Sequence, residues 1–350
     1  VKVWIDALTP KQLIFFDAVS RRLAQSGHEV IATTRDYHDA TYVVRRLRLE
    51  ANVVGKHGGA TLRGKLDASL ERARELVKFV TASKFDLALS FSSPEAARVA
   101  FGLGIPHLAV NDSPHAVAVA KLTLPLSRLL FAPYVIPFSA WRGFGISKED
   151  IRMYKAIDPA AWLKHPERWP EPNEVERQAT GAIVVRLEES QASYLLKQRT
   201  DAVKTIESLS DAFPHMKLLL LARYGEQEKR YSQLTRANVH VCASPFFGAN
   251  MVRRAALFVG RGGTMNAEAA LLGVPTISNY PGEKTFVDSF LLKSGLMAYA
   301  DSDRALVRVA LKLLDDKSRT KELKKRTKRL LQEMEDPSDV IAQVIDELND

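Results

Sequence analysis

Short apolar runs recur along the first half of the chain, and helix-length amphipathic segments lie between them. The runs at Lys2 to Asp6, Glu29 to Thr34, Asn52 to Val54, Leu87 to Phe91 and Pro106 to Asn111 read as strands. Between them, residues 11–25 place Leu13, Phe16, Val19 and Leu23 on one helical face, and residues 66–83 place Leu70, Leu76, Val77 and Val80 likewise. Parallel neighbours need a crossover long enough to hold a helix, so this alternation predicts a parallel sheet covered on both faces. A polar stretch over 158–173 then brings Pro159, Pro166, Pro170 and Pro172 together with Trp162 and Trp169. Beyond it the alternation restarts, with strands expected at Ala182 to Leu187, Lys217 to Ala222, Val239 to Cys242, Leu257 to Gly260 and Val274 to Ser278. The expected fold class is therefore α/β, two Rossmann-like doubly wound domains facing a cleft. The expected boundaries are 1–157 for the first domain, 158–178 for a linker and 179–335 for the second domain, with a C-terminal helix over 336–350 packing back on the first.

Length agrees with two domains, because 350 residues exceed what a single core usually reaches, roughly 250–300. Cys242 is the only cysteine, which excludes a disulfide framework and a thiolate metal site and suits a reducing compartment. The apolar start, Val1 to Ile5, is too short for a signal peptide, and no run approaches the roughly 18 apolar residues of a membrane span. A cytoplasmic protein is expected. Of the formal charge of +9, most falls in the first 150 residues, where 20 Lys and Arg face 14 Asp and Glu. Val43 to Leu49 reads as a solvated basic helix face, as does the later block from Lys321 to Arg329. Lys121 to Arg142 mixes cations with Leu124, Leu126, Leu129, Leu130, Phe131, Tyr134 and Trp141; core packing accounts for most of it, and an anionic membrane surface or a phosphorylated acceptor is the alternative. No nucleic-acid partner is expected.

The stretch GRGGTMNAEAALLGVPTIS, residues 260–278, joins an apolar strand to a helical segment through three glycines. At such a turn, backbone N–H groups without helical partners point outward beside the positive end of the helix dipole, and an anion can sit there. A Walker loop would need a Lys-Ser or Lys-Thr that is absent, and the dinucleotide fingerprint would need a glycine where Met265 stands. A ligand-free tight turn is the alternative to an anion cradle.

With residues 258–278 in view, the chain resembles glycosyltransferases of the GT-B fold. More closely, it resembles an uncharacterised, largely archaeal family of GT-B-like proteins, through VWID at the start, GHEVIATTRDY at 27–37, GKHGG at 55–59, SPEAARVAFGLGIPHLAVNDSPHA at 93–116 and NYPGEKTFVD at 279–288. The resemblance implies a nucleotide-diphosphate sugar as substrate, a UDP-sugar favoured, with no cofactor and no metal. Gly262, Gly263 and Thr264 match the loop that offers N–H groups to the diphosphate, and Glu268 matches the ribose ligand, a carboxylate able to accept from two hydroxyls. Glu283 matches a loop that meets the donor sugar, with Lys284 beside it either pairing with a phosphate or exposed. Arg186 stands where a glycine-rich turn is common in better-known transferases; it either neutralises the diphosphate or pairs with Glu188 or Glu189.

The first domain would bind the acceptor, lipid-linked or glycan, and supply a base. Asp6 ends the first strand, His57 sits in KHGG, and Asp112 and His115 lie in NDSPH after the fifth strand, so all are expected at the cleft; each alone reads equally as a structural residue. UDP-GlcNAc 2-epimerases share the fold, but their first acid would fall in Phe91 to Pro94, where none occurs before Glu95, and their second near Asn111-Asp112. A sugar-nucleotide-binding protein without turnover is the third reading.

Overall fold

A computed structural model of the protein describes residues 1–59, 61–187, 202–222 and 225–349. These form two compact units, Val1–His165 with Met334–Asp350, and Pro166–Glu333.

The first unit opens with β1 (Lys2–Asp6), α1 (Pro10–Gln25), β2 (Glu29–Asp36), α2 (His38–Leu47), β3 (Ala51–Lys56) and α3 (Leu62–Ser83). It continues with β4 (Leu87–Ser90), α4 (Pro94–Gly102), β5 (His107–Val110), α5 (Val117–Thr123), β6 (Leu129–Pro133), β7 (Ile151–Tyr154) and α6 (Ala160–Leu163). All seven strands pair parallel in the order β3-β2-β1-β4-β5-β6-β7. Five strands were expected, and β6 and β7 are additional. Most of the apolar residues between Lys121 and Arg142 are accounted for by this: Leu124, Leu129, Leu130, Phe131 and Trp141 are buried, and Tyr134 alone of those named is exposed.

Local chemistry sets the helix starts. Thr9 caps α1 by accepting from the Gln12 N–H, and Pro10 sits in the first turn, where a missing N–H costs nothing. The expected face of α1, Leu13, Phe16, Val19 and Leu23, is buried. The expected face of α3 is buried in part: Leu76 and Val80 are, together with Arg72, whereas Leu70 is 57 % and Val77 40 % exposed. Periodicity counted Arg72 as polar and so placed the face too far round the helix; an ion pair described below draws that arginine inward.

In the second unit the order is α7 (Glu174–Arg177), β8 (Ile183–Arg186), α8 (Ala202–Ala212), β9 (Leu218–Leu221), α9 (Gly225–Tyr231), β10 (Val239–Cys242) and α10 (Gly248–Val252). There follow β11 (Leu257–Gly260), α11 (Thr264–Leu271), β12 (Thr276–Ser278), α12 (Phe286–Lys293), β13 (Ala298–Tyr299), α13 (Asp303–Asp315) and α14 (Lys317–Glu333). Its sheet is parallel, ordered β10-β9-β8-β11-β12-β13. Successive strand residues feed opposite faces: Ile183, Val185, Leu257 and Val259 pack on one side, Val184, Leu219 and Phe258 on the other.

The chain then returns to the first unit as α15 (Pro337–Asn349), which packs on α1 and α6. Arg22 pairs with Asp339 at 2.7 Å and His28 with Asp346 at 2.7 Å. Residues 158–165, expected as linker, lie in the first unit, with Asp158 and Ala160 to Leu163 buried there. Among the described residues, no helix is long and apolar enough to cross a membrane.

Candidate functional site

In the second unit the chain leaves β8 toward β9 on one side and β11 toward β12 on the other, so the crevice above β8 and β11 is the switch point of the sheet, where doubly wound folds bind ligands. Arg186 ends β8 in register with Gly260, and the Arg261 N–H donates to the Arg186 carbonyl at 3.2 Å. Gly262 (φ 78°) and Gly263 (φ 85°) then take the left-handed region that disfavours side chains, and α11 starts at Thr264 with no side chain capping it. No atom lies within 4 Å of where a Cβ on Gly263 would stand, so there is open space beside the uncapped start of α11. The Arg186 guanidinium reaches the Met265 sulfur and lies 5.7 Å from the Phe246 ring. Arg186, Gly262, Gly263 and Thr264 are thus brought together by one strand pairing.

Glu268 lies one turn further and is 2 % exposed. Its carboxylate rests against the start of α10, where a Cβ on Gly248 would stand 2.5 Å from Oε2. Glu283 and Lys284 are exposed between β12 and α12, with the Lys284 ammonium 4.1 Å from the centre of the Tyr299 ring. Glu188 and Glu189, the alternative partners of Arg186, lie outside the described residues. One residue with no expected role approaches the glycine turn: Asp288 Oδ2, which accepts from the Thr285 hydroxyl at 2.8 Å, would stand 3.7 Å from a Cβ on Gly262.

The acids of the first unit differ from expectation. Asp6 is fully buried, accepting from Arg72 Nη1 at 3.0 Å and Nη2 at 2.5 Å and from the Thr33 hydroxyl at 2.7 Å. Burial alone would raise its pKa, but the Arg72 guanidinium and these hydrogen bonds hold it below the usual carboxylate range. A base needs access and a pKa near the working pH, so Asp6 is a structural anion. Asp112 is likewise engaged: the Lys11 ammonium donates to its Oδ2 at 2.5 Å and lies 2.6 Å from Asp158 Oδ2, and the Tyr154 hydroxyl donates to Asp158 Oδ1 at 2.5 Å. Two carboxylates share one ammonium, so one gives up its proton easily and the other keeps it. Burial alone would raise Asp112, but the charge and hydrogen bond of Lys11, with hydrogen bonds from Asp158 and Ser113, together bring it below its ordinary value; Asp158, almost wholly buried, rises to about 7 through desolvation, despite Lys11 and with the Asp112 charge adding to the rise. Asp112 is therefore a partner of Lys11 and a poor proton acceptor.

The histidines remain. His115 is exposed in the loop between β5 and α5. His57 follows β3 with its ring 5.0 Å from that of Tyr37, and its Nδ1 accepts from the Gly59 N–H at 3.1 Å. Burial, then Arg35 and Lys65, lower its pKa. Lys11, Arg72, Tyr154 and Asp158 were all missed from sequence. Lys11 stands at the start of the helix expected over 11–25, while Asp158 fell in the stretch read as linker.

A family model described as a protein of unknown function, DUF354, matches residues 1–349. The chain belongs to that family. The chain is also 27 % identical, over 310 residues, to an uncharacterised protein of Methanocaldococcus jannaschii, covering 87 % of this chain and 89 % of that one. Among solved structures, the UDP-GlcNAc 2-epimerase of Neisseria meningitidis bound to UDP-GlcNAc superposes with a TM-score of 0.73 at 14 % identity, covering 99 % of each chain. The spinosyn forosaminyltransferase SpnP superposes at 0.62 with 14 % identity and the same coverage. The architecture shared by this DUF354 chain and these structures is the GT-B fold; at such identities the likeness speaks for fold alone.

Proposed function

We propose that the protein is a GT-B glycosyltransferase that moves a sugar from a nucleotide-diphosphate sugar, a UDP-sugar favoured, to a lipid-linked or glycan acceptor. The observation that supports this most is the Gly262-Gly263 turn beside Arg186 at the switch point of the second unit. Uncapped N–H groups and a guanidinium converge there, and both suit a diphosphate. Glu268 would take the ribose hydroxyls from its buried position on α11, and Glu283 the sugar hydroxyls. In inverting transfer a base removes the acceptor proton, and with Asp6 and Asp112 held in ion pairs His115 is the preferred candidate.

Epimerisation is the second reading, favoured by the higher similarity to the epimerase structure. It is disfavoured at the end of β4, where Ser92 and Ser93 stand and the acid expected of an epimerase is absent. NMR of UDP-GlcNAc and other nucleotide sugars incubated with the protein separates the two. Release of UDP with glycosylation of an added acceptor is the expected result; appearance of the 2-epimer with no UDP release would overturn it.

A further inference from the structure

The first unit carries a second cationic cluster that the donor site does not use, where the carboxyl ends of β2 and β3 meet the first turn of α3. Arg35 stands next to last on β2, between Thr34 and Asp36, where the pairing with β3 shifts register. Its Nε is sealed from solvent and donates to no group. The nearest acids leave it uncompensated. Asp6 is consumed by Arg72, whose own Nε donates to the Val54 carbonyl at 2.9 Å. Glu95 acts on Arg35 through space but forms no ion pair with it among the described residues, and instead accepts from the Ser93 hydroxyl at 3.3 Å.

His57 completes the cluster. The loop that holds it is pressed onto α3: a Cβ on Gly58 would stand 2.4 Å from the Gly64 carbonyl oxygen. Because the Gly59 N–H fills Nδ1, the neutral ring carries its proton on Nε2, a donor. The His57 N–H donates to the carbonyl of Asp36, next to Arg35, at 3.0 Å, a Cβ on Gly58 would stand 2.6 Å from the Lys65 Cα, and the Tyr37 ring lies 5.0 Å from the imidazole, so the loop is flanked by two cations. The Arg35 guanidinium beyond its sealed Nε, an imidazole donor and a lysine, gathered with no carboxylate bonded to Arg35 or His57, suit an oxyanion of two charges. Beside them, α3 presents Leu62, Leu66 and Leu70 to solvent, 77 %, 56 % and 57 % exposed, as an i, i+4, i+8 stripe.

We infer that Arg35, His57 and Lys65 form a binding site for a phosphate ester, with the phosphoryl oxygens on Arg35 and His57 Nε2 and any alkyl chain along the leucines of α3. That this ester is the acceptor rests on the proposed transferase activity; that it binds does not. The test uses the full chain without nucleotide sugar. The His57 ring proton resonance, assigned with His57→Gln, is followed across pH by NMR with and without hexyl phosphate. A bound dianion favours the imidazolium, so the His57 pKa rises by about one unit or more. Arg35→Gln, and independently Lys65→Gln on the helix surface, each weaken hexyl phosphate binding by roughly tenfold. Phosphatidylcholine vesicles with and without dodecyl phosphate separate the sources. Tighter binding to the phosphate-bearing vesicles that Leu66→Asp removes marks a lipid-borne ester, and equal affinity for both probes marks a soluble one. No movement of His57 with saturating hexyl phosphate, or undiminished binding in both variants, overturns the site. Failure of nucleotide sugars to bind would leave these results standing and count only against the transferase reading.

Discussion

Asp6 and Arg72 are both almost wholly shut off from water, so each depends on the other for its charge to be tolerated. Arg72→Met leaves Asp6 buried without a counter-ion and should cost about 3–5 kcal/mol in urea unfolding. The pH dependence has a definite sign. Asp6 is depressed when folded, so its contribution is complete above its unfolded value near 3.8 and is lost as pH falls below that toward the folded value. The Arg72→Met variant should show a flatter stability profile in that acid range. Asp158 runs the other way. Its carboxyl 13C resonance should titrate at about 7, and Tyr154→Phe, which removes a hydrogen bond to the carboxylate, should move that midpoint upward. A midpoint near 4 would show that burial and the neighbouring Asp112 charge do not hold Asp158 up as described. His115, exposed on its loop, bears on chemistry instead: if it is the base, His115→Ala lowers turnover roughly 100-fold and leaves donor affinity unchanged, and unchanged turnover would reject the role.

Strands and helices carry the scaffold of both candidate sites, and much of that scaffold was readable beforehand. The apolar runs of β1, β4, β5, β9 and β11 mark buried parallel strands whatever surrounds them, because both faces of such strands are covered. The glycine turn was readable too, since a strand-to-helix junction with Gly262 and Gly263 needs positive φ. β6 was hidden because its apolar residues sit among the cations of a segment whose ends are exposed, and β13 because two residues leave no periodic signal. The direction of α3 and the pairing of Lys11 with Asp112 and Asp158 depend on partners about 66 to 150 positions away, a separation no local pattern encodes. The contact between the His57 loop and α3 supplies a prediction at this level. Gly58→Ala would place a Cβ 2.4 Å from the Gly64 oxygen and 2.6 Å from the Lys65 Cα, both backbone atoms of a helix. The loop must shift, with an expected loss of about 1–3 kcal/mol in chemical denaturation; a variant as stable as the parent would show that loop and helix are not held together.

For the molecule as a whole, the GT-B architecture places candidate sites and leaves ligand and chemistry to the residues in them. The central proposal is that the second unit holds a UDP-sugar at Gly262, Gly263 and Arg186. The most direct test is unfolding of the full chain with and without a panel of nucleotide-diphosphate sugars, in the parent and in Arg186→Gln and Glu268→Gln. A ligand at about 100 times its dissociation constant should add about 2.7 kcal/mol to the parent, and the two variants should lose most of that gain at the same concentration. Stabilisation by no member of the panel, or equal stabilisation of parent and both variants, would contradict the assignment.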